Sequence, residues 1–87
     1  MMKKKPKAVA LKYEKEKDAA PRIVAKGRGF VAQKIIETAR VHRVPLYEDK
    51  NLVQVLEALD LDTEIPPELY RAVAVVLAFI YRLNGKM

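Results

Sequence analysis

Ten consecutive apolar residues, Ala72 to Tyr81, follow the pair Pro66-Pro67 near the end of a chain of 87 residues, and this stretch constrains the fold more than any other. It falls far short of the roughly 20 residues that cross a bilayer, so it has to be packed within a domain or against a partner. Pro67 followed by Glu68 suits a first helical turn, where the missing N–H costs nothing and a carboxylate meets the positive end of the dipole. The spacing predicts a helix from Pro67 to about Leu83, ended by Asn84-Gly85. Leu69, Val73, Val76, Leu77 and Ile80 make one core-facing stripe, while Val75 and Phe79 fall on a second face. Either the domain folds over both sides, or a partner covers the side that carries Val75 and Phe79.

The preceding residues have to supply the layer on which that helix packs. In Ala8 to Tyr13, Val9, Leu11 and Tyr13 alternate with Ala8, Ala10 and Lys12. Both faces are largely apolar, which predicts a strand inside a sheet. The polar "EKEKDAAP" connects it to a second strand, Arg22 to Lys26. The glycines of "KGRGF" allow a tight turn into a helix from about Phe30 to Arg43, with Val31, Ala32, Ile35, Ala39 and His42 along one stripe. "VPLYE", Val44 to Glu48, reads as a third strand, parallel to the second through a right-handed crossover, with Pro45 at its start or on an edge. A second helix, about Asn51 to Leu59, has Asp49 as its cap. The expected fold is α/β: a small mixed three- to four-stranded sheet flanked by three to four helices, in three layers. One domain over residues 8–84 is expected behind a flexible basic arm, 1–7, with a short tail, 85–87.

Catalytic inventories are missing. The chain has no cysteine and no serine, which excludes disulfides, thiolate metal sites and the usual nucleophile–base pairs. The single histidine, His42, sits beside Arg43 at a helix end and reads as a dipole contact. Glu48, Asp49, Glu57, Asp60, Asp62 and Glu64 lack the spacing of a calcium loop and read as solvated charge. Gly27 and Gly29 lack the third glycine and the later acid of a dinucleotide fingerprint. No enzyme activity, metal, cofactor or small-molecule substrate is therefore expected. The net charge is +6, with Lys3, Lys4, Lys5, Lys7, Lys12, Lys15 and Lys17 crowded into the first fifth. That block reads as a solvated tail, or as steering toward phosphate or anionic lipid. It motivates a second reading, a small basic nucleic-acid-binding protein, although no helix-turn-helix, finger or stacking platform accompanies it.

Three stretches in order, "AVALKYEKEKDAAPRIVAKG", "VPLYED" and "EIPPELYRAVAVVLAFIYRL", resemble the cytoplasmic domain of the FlhB and YscU family of flagellar and type III secretion export-switch proteins. Members of that family carry Asn-Pro-Thr-His directly before the strand matched by Ala8 to Tyr13 and cleave themselves between asparagine and proline. Here those four positions are Lys3, Lys4, Lys5 and Pro6, and a lysine cannot form the ring that asparagine forms on its own backbone carbonyl. The membrane helices that precede the domain in the family have no counterpart in these 87 residues. The resemblance implies a free-standing, non-cleaving homologue that works in the cytoplasm, peripheral to a membrane-embedded gate. It would bind export-apparatus proteins (gate, ruler or substrates) and contribute to substrate-specificity switching. The expected partner contacts are Val75 and Phe79 on the last helix and Val9 and Leu11 at the sheet edge, the latter also a route to self-association.

Overall fold

A computed structural model describes residues 5–14 and 16–84. Strands β1 (Lys7–Lys12) and β2 (Arg22–Arg28) come first, followed by helices α1 (Phe30–Val41) and α2 (Lys50–Glu57). A 3-10 turn over Pro67–Leu69 leads straight into α3 (Tyr70–Asn84). The α/β class and three helices thus stand as expected, and β1 starts at Lys7, within the stretch expected as an arm.

The two strands pair antiparallel, with Ala8 opposite Gly27, Ala10 opposite Ala25 and Leu11 opposite Ile23. This register leaves Val24 without a partner, a β-bulge. The extra residue turns the strand over. Under strict alternation Ile23 would share a face with Ala25 and Gly27, yet it is fully buried among Leu56, Ile65 and Val73, while Val24 is 42% exposed. Val9 and Leu11 pack on this same cluster, together with Leu52, Leu69 and Leu77. The opposite face carries the small residues Ala8, Ala10, Ala25 and Gly27. There α1 lies close, with Ala32 buried, and a Cβ built on Gly27 would stand only 2.7 Å from Cβ of Val31. One helix on one face and two on the other make the three layers.

Two expectations are corrected. The first strand is not inside the sheet. Among the described residues β1 pairs only with β2, so it is an edge strand. Its apolar faces report the helices above and below it rather than strands on both sides.

The third strand does not form, and among the described residues the sheet has two strands instead of three or four, with no parallel pair. Helix α1 closes at His42 with Arg43 in the left-handed region at φ 58°. Arg43 N–H donates to the Arg40 carbonyl at 3.1 Å and Val44 N–H to the Ala39 carbonyl at 2.8 Å, the paired bonds of a Schellman ending. Pro45 next offers no donor to a ladder. The place beside β2 is taken by residues 62–65: Ile23 N–H donates to the Thr63 carbonyl at 3.0 Å, and Ile65 N–H to the Pro21 carbonyl at 2.8 Å. Arg22 and Glu64 form an isolated antiparallel bridge there.

Candidate docking groove

The connection between β1 and β2 and the first half of α3 line an open apolar groove of about 160 Å³. Glu14, Lys17 and Asp18 form a hydrogen-bonded turn within the connection. Lys17 and Asp18 N–H groups donate to the Glu14 carbonyl at 2.9 and 2.7 Å, and the Glu14 N–H returns a bond to Asp18 Oδ2 at 3.1 Å. That backbone donor, with the Arg22 guanidinium 3.3 Å from Oδ1, holds the Asp18 carboxyl below the usual carboxylate range against the opposing effect of burial. The turn delivers Ala20 and Pro21, both buried, to one wall.

The opposite wall is α3. Tyr70, Val73, Ala74 and Leu77 line it at helical spacing, and Tyr13 closes the end. Val73 is 2% exposed and forms the floor, whereas Tyr70 is 45% exposed at the rim. Small residues, Ala19, Ala20 and Ala74, make up part of the lining. Tyr13 is shared with a wider, more polar cleft of about 550 Å³ lined by Glu14, Glu16, Lys17 and Tyr81.

The residues singled out from sequence are scattered. Lys3 and Lys4 lie outside the described residues. Lys5 is exposed, and Pro6 is half-buried with its carbonyl accepting from Gly29 N–H at 2.7 Å. Val75 is 57% exposed, and Phe79, 39% exposed, stacks on Tyr47 with ring centroids 5.1 Å apart. The second apolar face of α3 is therefore covered in part by the 44–49 segment. Val9 and Leu11 turn into the core, so what they offer a partner is the backbone of the β1 edge. His42 is exposed at the end of α1, its N–H bonded to the Thr38 carbonyl at 3.0 Å. Among the described residues no three acidic or histidine side chains come together to hold a metal. Sequence reasoning missed the groove itself, whose only linear trace is the "AAP" that ends the connection and an alanine on the inner stripe of α3.

Comparison with known proteins gives a consistent result. The model of the FlhB HrpN YscU SpaS family matches residues 6–80. The Bacillus subtilis (strain 168) protein YlqH is 47% identical over 78 residues, covering 90% of this chain and 84% of that protein. The flagellar biosynthetic protein FlhB of Aquifex aeolicus is 45% identical over 74 residues, covering 84% of this chain but only 21% of that protein. The chain thus spans about a fifth of the FlhB proteins it matches. The crystal structure of the cytoplasmic domain of FlhB from Shewanella putrefaciens superposes with a TM-score of 0.84 at 39% identity, over 90% of this chain and 61% of that one. The PscU C-terminal domain shares the fold, with a TM-score of 0.79 at 23% identity over 85% of this chain and 95% of that one. Among the described residues no helix is long and apolar enough to cross a membrane.

Proposed function

The chain belongs to the FlhB HrpN YscU SpaS family, and from that premise we propose that it is a non-catalytic binding module of flagellar or related type III protein export. It acts in the cytoplasm by holding segments of export proteins, and it contributes to substrate-specificity switching without a chemical step. The observation that carries this reading is the open apolar groove between Ala20-Pro21 and α3, on a domain whose relatives are named for flagellar biosynthesis. The outer face of α3, with Val75 at its centre, is the second contact, directed at the export gate.

A photo-crosslinking amino acid placed at Ala74 in the source cells tests the groove, with one at the exposed Lys50 as the control. Capture of exported flagellar or secretion proteins at position 74 alone is the expected result. Capture of no export protein at 74, or equal capture at both positions, overturns the assignment of the groove.

A further inference from the structure

We propose that the end of the sheet where β2 runs into α1 is a contact surface for a bilayer rich in anionic lipid, with Phe30 as its apolar wedge and Lys5, Lys7, Arg28 and Lys34 as its cationic ring. This inference does not depend on the docking groove. Phe30 is 74% exposed and Val31 beside it 51%. A single exposed apolar residue is ordinary, and what sets Phe30 apart is its company.

Lys34 Nζ stands 5.9 Å from the centroid of the Phe30 ring. The Lys5 side chain runs past Gly29, its Cδ 3.6 Å from where a Cβ there would sit. Lys7 lies opposite Arg28 in the ladder. Both share one carboxylate, Glu57, at 3.7 Å from Lys7 and in a short hydrogen bond with Arg28 Nε. Lys7 and Arg28 thus share one anion, and among the described residues no ion pair joins Lys5 or Lys34 to it. The Gly29 N–H to Pro6 carbonyl bond, 2.7 Å, ties the incoming chain, and Lys5 with it, to the start of α1.

Charge and apolarity together select the partner. Lysine stems can lie along the ring while their ammonium groups reach lipid phosphates, and a phenylalanine at that depth enters the boundary between headgroups and acyl chains. Each cation close to an anionic leaflet adds to the attraction. A nucleic acid would satisfy the charges but would leave one isolated ring in water, without the row of aromatics that stacks successive bases.

The chain contains no tryptophan, so Phe30→Trp creates a single fluorescent reporter on an exposed site. Its emission is expected to shift to the blue with vesicles containing phosphatidylglycerol and to stay unchanged with pure phosphatidylcholine. In flotation of the chain with the same vesicles, Lys5→Gln and Lys34→Gln are each expected to weaken binding by about fivefold, and Phe30→Ser by about tenfold. Absence of binding to phosphatidylglycerol vesicles overturns the proposal. So does binding without the blue shift, which would mean adsorption by charge alone. Duplex DNA or an acidic protein that binds with equal dependence on Phe30 also overturns it.

Discussion

The ammonium of Lys26 lies 2.6 Å from the carbonyl oxygen of Leu59 and 3.0 Å from that of Glu57. Carbonyls at the end of a helix lack partners within it, so this residue of β2 supplies the donors that the end of α2 needs and ties the helix to the sheet. Lys26→Met keeps most of the stem and removes both bonds. A loss of about 2 kcal/mol is expected, from the usual worth of hydrogen bonds to a charged group, read as a lower urea midpoint at unchanged slope.

Glu57 gives the fold a share of its acid sensitivity. The hydrogen bond from Arg28, then the charges of Arg28 and Lys7, hold its carboxyl below the ordinary value of 4.5, against burial, which acts the other way. A carboxyl depressed in the folded state contributes stability that is fully present above its unfolded pKa and is lost as pH falls through its folded pKa. Glu57→Gln is therefore expected to flatten the fall of stability below about pH 4.5 and to leave the slope above pH 6 unchanged. Urea midpoints across pH 3 to 7 for the two chains make the comparison, and parallel curves would refute it.

The contact of α1 with the sheet is tightest at Gly27, where an added Cβ would stand 2.7 Å from Val31 Cβ and still closer to its Cγ1. Gly27→Ala is expected to cost about 1–3 kcal/mol, the usual penalty of overpacking. Combining it with Val31→Ala should recover only part of that loss, because Cγ1 is removed while the Val31 Cβ, 2.7 Å from the added methyl, remains. A double-mutant cycle that showed simple additivity would disprove the coupling.

Val75 and Phe79 differ in what they do for the fold, although both lie on the outer face of α3. Val75→Glu should leave stability within about 0.5 kcal/mol of the starting chain. Phe79→Glu breaks the stack on Tyr47 and should cost about 1 kcal/mol. With both variants shown to be folded, loss of export components from a pull-down by the double variant supports this face as a contact, and equal recovery clears it.

The first residues bear on chemistry instead of packing. With Lys3 and Lys4 at the positions matched to the reacting Asn-Pro pair, the purified chain is expected to remain intact for days near neutral pH. Intact-mass spectrometry detects the alternative, a species that begins at Lys4 without added protease.

Much of this architecture was legible from the residues. Alternation marked the first strand and the Pro-ended polar connection the second, the 3.6-residue period marked all three helices, and Asp49 accepts from Leu52 N–H at 3.0 Å as its position before α2 implied. The two faces of α3 separate as the pattern said, with Val73 at 2% and Val75 at 57% exposure. The misreadings have physical causes. "VPLYE" has strand-like composition, but a left-handed Arg43 and a donor-less Pro45 send it across the surface, where Tyr47 serves to cover Phe79. Apolarity on both faces of Ala8 to Tyr13 could not say how many strands flank it, only that layers lie above and below. The groove left almost no linear trace because it is a space lined by side chains from distant segments.

The bulge at Val24 also bears on how the length of such a chain can change. Since Ala25 pairs with Ala10 and Ile23 with Leu11, removing Val24 would join two pairs that are already consecutive on β1. Every other residue of β2 would keep its partner and its face. A strand is ordinarily the worst place for a single-residue deletion, because everything beyond it changes sides. Here one codon can be lost in mid-strand without a frame change in the packing, so sequences that align with a one-residue gap at this point are compatible with the same core.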